Sequence, residues 1–233
     1  MTNWTQIDSE RLPGGSELTL YRDGNAFMIR ADGLELMNSG AHGSEEAFVA
    51  LGFEAVPDAK AVLVGGLGLG YTLSEVLRRL PPHGKARVCE ISAKVISWNQ
   101  DIMNGLNPGI WKDERVEVLH SDLVDHIRSA EDEDAGLPLY DLALLDIDNG
   151  PEALVHPGND KLYSVEGLDR LCSLLEARGA AVFWSAFPSD VFRARLAEFF
   201  STVRVEIFSL PQNPKVEHVL FIASHPLRDR SEA

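Results

Sequence analysis

The stretch VLVGGLGLGYTLSEVL, residues 62–77, constrains the fold more than any other part of the chain. It begins within AVLV (61–64), an unbroken apolar run of the kind found in strands buried on both faces. It ends in a helical pattern, and between the two lie Gly65, Gly66, Gly68 and Gly70. Glycines belong there because such a turn needs backbone angles that a side chain disfavours. A ligand can also approach the main chain with no β-carbon in its way. The N–H groups bared at the helix start favour acceptor or anionic groups. A chain with this segment is expected to build a sheet covered by helices on both sides.

The rest of the sequence keeps that rhythm. ARVCEI (86–91), RVEVLH (115–120), LYDLALLDID (139–148) and AAVFWSA (180–186) read as strands. AKVISWNQDIM (93–103), LVDHIRSA (123–130) and residues 165–177 and 189–200 read as helices between or after them. Such alternation predicts a doubly wound parallel sheet. The last two strands, VRVEIFSL and VEHVLFIAS, are joined by PQNPK, too short for a parallel crossover, so they form an antiparallel hairpin. Ahead of this region, LTLYRDG, NAFMIRADG and LELMN are short strands punctuated by Asp23-Gly24 and Asp32-Gly33 turns. A helix is expected from Ser44 to about Gly52. The division is a small N-terminal β unit, 1–43, and a catalytic domain, 44–233.

The glycine spacing narrows the ligand. Dinucleotide binders use G-x-G-x-x-G/A, but counting from Gly66 or Gly68 puts Tyr71 or Leu73 at the third glycine position. G-x-G-x-G, the methyltransferase spacing, fits as Gly66, Gly68 and Gly70. The fold class is therefore α/β: a mostly parallel, seven-stranded Rossmann-like sheet of the methyltransferase type, with a C-terminal antiparallel hairpin. Acidic residues fall at the strand ends, where ligands bind in such sheets. Glu90 stands where both ribose hydroxyls would be accepted. Asp122 stands where adenosylmethionine enzymes read the adenine amino group. Asp146 and Asp148 close the fourth strand of the parallel series.

Composition excludes several classes. Lys and Arg number 21 against 36 Asp and Glu, a formal net charge of −15, which repels phosphate backbones and argues against nucleic acid. No apolar stretch approaches the ~20 residues that span a bilayer, and the first residues do not read as a secretory signal. Cys89 and Cys172, in apolar contexts, suggest reduced core thiols and a cytoplasmic protein. Neither cysteine nor histidine spacing suggests a metal site.

At LLDIDNGPEALVHPGNDKLYSVEGL the chain resembles the polyamine aminopropyltransferases, the spermidine synthase family. That family ends its corresponding strand with D-S-S-D-P, followed by Gly-Pro and a Leu-(Phe)-x-x-x-(Phe)-Tyr stretch. Asp146, Gly150, Pro151, Leu162 and Tyr163 hold comparable places here. GGLGLG stands for the family's GGGDGG, VCEISAKVISW for V-E-I-D-x-x-V, and ADGLELMNSGAHGSEEAFVALG for a shortened β domain. The likeness covers about residues 17–225. It implies an S-adenosylmethionine-type cofactor, either S-adenosyl-L-methionine or its decarboxylated form, and a small acceptor that is cationic or amine-bearing. Dimers are frequent in that family, so the resemblance also implies a homodimer.

Departures from the pattern bear on the group transferred. The family's loop Asp, which grips the aminopropyl amine, has no counterpart. Leu36 replaces a Gln, the T-E-x-D-E-x-x-Y-H-E clamp is absent, and Asn149 takes the place of the second Asp. On these grounds methyl transfer to a small molecule is the expected reaction. Aminopropyl transfer is the alternative, and a non-catalytic nucleoside-binding protein a further one. Gly65, Gly66, Gly68 and Gly70 would carry the cofactor with Glu90 and Asp122. Asp146 or Asp148 would take the acceptor's proton, Tyr163 and Asn149 would position the acceptor, and His42 would cover it.

Overall fold

The computed structural model of the chain describes residues 3–12, 14–41, 43–129, 137–147, 150–152, 157–210 and 213–227. Strands β1 (Thr5–Arg11), β2 (Glu17–Asp23), β3 (Ala26–Ala31) and β4 (Leu34–Asn38) form an antiparallel sheet in chain order. The turns at Gly24 and Gly33 fall where the Asp-Gly pairs predicted them. Strand β1 lies within residues 1–43 but is not among the strands expected there. Its sequence, TQIDSER, is polar and gives no strand signal by itself. It is held from outside: Asp8 accepts from Trp98 Nε1 and Lys94 Nζ, each at 2.8 Å, and Glu10 accepts from Ser92 Oγ.

The second sheet has seven strands in the order β10-β11-β9-β8-β5-β6-β7. They are β5 (Ala61–Gly65), β6 (Lys85–Glu90), β7 (Val116–His120), β8 (Tyr140–Leu145), β9 (Leu175–Ser185), β10 (Phe200–Leu210) and β11 (Asn213–Pro226). Strands β5 to β9 pair in parallel, whereas β11 pairs antiparallel with both β9 and β10. This is the expected sheet, hairpin included. Its helices are α1 (Gly43–Ala55), α2 (Tyr71–Arg79), α3 (Ala93–Gln100), α4 (Leu123–Arg128), α5 (Val165–Ser173) and α6 (Asp190–Leu196). Helices α5 and α6 stop short of the expected ends because the chain is taken into strands: Leu175 pairs with Tyr140, and Phe200 with Pro226. Among the described residues no helix is long and apolar enough to cross a membrane.

Alternating residues of the strands feed two apolar layers. Val62, Val64, Leu142, Leu144, Val182 and Leu220 join α1, α2 and the inner face of the N-terminal sheet in one cluster. Leu63, Ala143, Leu145, Phe183 and Phe221 face α4, α5 and α6 in another. Strand order reverses at β5, whose neighbours are β6 and β8. A crevice opens at the carboxyl ends of the strands there.

Candidate active site

A cavity of about 490 Å³ occupies that crevice, lined from both sheets. Its floor is the glycine loop. Gly66 has φ +86°, and a Cβ on it would lie 2.8 Å from the carbonyl oxygen of Asp146. Gly68 has φ +52°, and a Cβ there would meet Met37 Sδ at 2.7 Å. Both line the cavity. Leu67 and Leu69 point the other way into the apolar cluster and anchor the loop.

The loop's shape is also pinned by hydrogen bonds. Leu67 N donates to Glu90 Oε2 at 2.9 Å, and Ser92 N to Glu90 Oε1 at 2.8 Å. Asn99 Nδ2 donates to the Gly68 carbonyl at 2.8 Å, and Asn107 Nδ2 to that of Leu69 at 2.7 Å. The two asparagines carry no signal in the sequence, since each is a lone polar residue in an ordinary stretch. Gly65 and Gly70 serve packing instead of lining the cavity. A Cβ on Gly65 would strike Leu123 Cδ2 at 2.6 Å, and one on Gly70 would strike Asn99 Oδ1 at 2.9 Å.

Glu90 is buried at the cavity wall. Burial pushes its carboxyl up, while the amides of Leu67, Ser92 and Gly68 hold it down and Glu10 raises it further. Leu67 and Ser92 bond one oxygen each, and a carboxylate's roughly four acceptor sites leave room beyond the three amides for another donor. Asp122 caps α4 by accepting from Val124 N at 2.8 Å, which sets its carboxylate on the same wall beside Ile91 and Leu123. Asp146, half-buried just beyond β8, lines the cavity next to Gly66. Burial first, and then the Glu45 carboxylate, push its pKa up to about 7.

The remaining expected residues divide. Tyr163 is not on the cavity: it is buried among the apolar residues facing α5 and α6, with Phe192 edge-on at 5.3 Å and Phe183 tilted at 6.4 Å. A tyrosine flanked by leucine and helix residues reads the same in sequence whether it faces a ligand or a core. Asp148, Asn149 and His42 lie outside the described residues. In their stead the structure brings Glu35, Asn38 and Glu45 to the cavity from the N-terminal side, and Trp184 and His218 from β9 and β11. The imidazole of His218 stands edge-on to Trp184 at 4.8 Å and to Phe208 at 5.5 Å. Its Nδ1 is buried without a hydrogen-bond partner among the described residues, and burial lowers its pKa.

The wall thus holds a glycine cradle, one carboxylate at the end of β6, one at the start of α4 and one at the end of β8. The model of the Spermine/spermidine synthase domain matches residues 41–186, the segment that carries all of these. The chain belongs to this family. Two solved spermidine synthase structures share its fold. One, in complex with the transition state analogue AdoDATO, superposes with a TM-score of 0.73 over 94% of this chain and 72% of that chain, at 19% identity. The other, from Thermotoga maritima, gives 0.74 with the same coverage and identity. No curated protein sequence matches the chain. The family is one of transferases. Methyl transfer, the reaction expected from the sequence, draws no support from these likenesses, whereas the aminopropyl alternative does.

Proposed function

We propose that this chain transfers the aminopropyl group of decarboxylated S-adenosylmethionine to a small amine. The observation that carries the reading is the charge of the cavity. Among its lining residues are Glu35, Glu45, Glu90, Asp122 and Asp146, and among the described residues no Lys or Arg lines it. Such a wall suits a donor and an acceptor that are both cationic. S-adenosyl-L-methionine would bring an α-carboxylate into this field, whereas the decarboxylated donor does not.

The residues present fit such a donor. Gly66 and Gly68 leave open the space that a side chain would fill, Glu90 has acceptor capacity for the ribose hydroxyls, and Asp122 lies beside apolar residues that would flank a base. The donor's sulfonium supplies an electrophilic carbon. The chain aligns the acceptor nitrogen with it, excludes water and provides Asp146 to remove a proton. A volume of about 490 Å³ accommodates a nucleoside and a small acceptor together.

Incubating the protein separately with each donor and a panel of amines, followed by mass spectrometry of the nucleoside product, tests the proposal. The expected product is methylthioadenosine from the decarboxylated donor with at least one amine. Adenosylhomocysteine formed from S-adenosyl-L-methionine would replace this reading by methyl transfer. Nucleoside binding without either product would replace it by a non-catalytic role.

A further inference from the structure

Helix α1 places a second carboxylate, Glu45, on the cavity that Asp146 lines. The helix packs against β8 at Gly52, where a Cβ would lie 2.9 Å from Leu144 Cδ2 and 3.1 Å from Leu142 Cδ2. Glu45 precedes Gly52 by two turns and so lies on the same helix face, ~10 Å nearer the helix start. Phe48, Val49, Gly52 and Phe53, at the intervening and following positions of that stripe, are all buried. Asp146 lies two residues beyond Leu144 on the same face of the strand, ~7 Å toward the carboxyl end of the sheet. Both acids therefore reach the end of β8, and both line the cavity.

We infer that Glu45 and Asp146 act as one carboxylate pair that receives the acceptor as an ammonium and takes its proton. The inference rests on the reading that the acceptor is an amine, and it gives Glu45 a positioning role. Two carboxylates on one cavity wall repel, and a cation between them relieves that repulsion. In the proton step an N–H bond of the ammonium breaks and an O–H bond forms on Asp146. The nitrogen keeps its electron pair as a neutral amine. The direction of the Asp146 shift agrees with this arrangement, because Glu45 is the charged group that adds to the effect of burial. Among the described residues the other titratable groups lining the space are Glu35 on β4, Cys89 and Glu90 on β6, Asp122 before α4 and His218 on β11. On α2, burial and then Glu45 also raise Tyr71.

The test is carboxyl carbon NMR of aspartate-labelled protein, with Asp146→Asn identifying the resonance. In the wild type this carboxyl is expected to titrate near 7, and adding 1,4-diaminobutane with methylthioadenosine should lower its midpoint. In Glu45→Gln the midpoint of the free protein should fall by about half a unit or more, and calorimetric affinity for 1,4-diaminobutane should weaken roughly 10-fold or more. Glu46→Gln, on the exposed side of the same turn, should change neither. An unchanged midpoint in Glu45→Gln would overturn the pair, as would a wild-type midpoint indifferent to the diamine. Both measurements are independent of turnover, so a chain that formed no methylthioadenosine would refute the proposed function and leave the pair to be judged on its own.

Discussion

Asp146→Asn is expected to lower turnover by about 10²–10⁴-fold, the usual contribution of a positioned proton acceptor, and to make the protein more stable in alkali. The two effects share a cause. Asp146 sits on the cavity wall where burial, followed by Glu45, pushes its pKa up to about 7. Only the ionised form accepts a proton, so wild-type activity should fall as pH drops through about 7. The stability effect has the opposite sense. A carboxyl whose folded-state pKa is raised binds its proton more tightly in the native state than in the unfolded chain. Its favourable contribution is complete below the ordinary aspartate range and is lost as pH rises through about 7. An asparagine never ionises. Thermal melts should therefore show Asp146→Asn above the wild type at pH 9, with the gap closing toward pH 4. A variant that lost turnover and also melted lower at pH 9 would place Asp146 in a structural role.

Gly66→Ala is expected to weaken binding of methylthioadenosine by roughly 10²-fold or more, since even a loss of ~3 kcal/mol is worth that much. The methyl group faces two obstacles. At φ +86° an alanine is strained, and its Cβ would meet the Asp146 carbonyl oxygen at 2.8 Å. That oxygen belongs to the backbone next to β8 and cannot swing aside as a side chain can. Relief would require the loop and the end of β8 to part, which moves the cradle and Asp146 together. Gly68→Ala makes the contrast. Its Cβ would press on Met37 Sδ, within a flexible side chain that can give way. Calorimetric titration with methylthioadenosine should rank wild type, Gly68→Ala and Gly66→Ala in falling affinity. Equal affinities for the two variants would show that the Asp146 backbone is not the rigid partner proposed.

The parts legible in the sequence are those whose signals are local. Val62, Leu63 and Val64 of the run AVLV are buried in β5, the glycines take positive φ at Gly66, Gly68 and Gly70, and the last two strands, β10 and β11, pair antiparallel. Glu90, Asp122 and Asp146 line the crevice because each ends a parallel strand or lies within two residues of its end, and strand ends converge there. Strand β1 had no such signal. Its polar residues become a strand through pairing with β2 and through Asp8 and Glu10, which bind the start of α3 more than eighty residues away. The same holds for Asn99 and Asn107, which support loop carbonyls from distant segments.

Tyr163 shows the limit from the other side. Its motif placed it at a site, yet the sheet face onto which its segment folds places it against Phe183 and Phe192. In sequence Glu45 is only an acid in the first turn of a helix, whereas the packing of Gly52 on Leu144 and Leu142 fixes the helix face that brings it to the cavity. The chain's own order therefore determined the strand–loop–helix cradle and the acids at strand ends, since backbone conformation and burial period are set by near neighbours. Which helix face meets the cavity, and which carboxylates come to share it, depended on long-range packing. That packing is decided by contacts between residues far apart in the chain, and their spacing in sequence does not encode it.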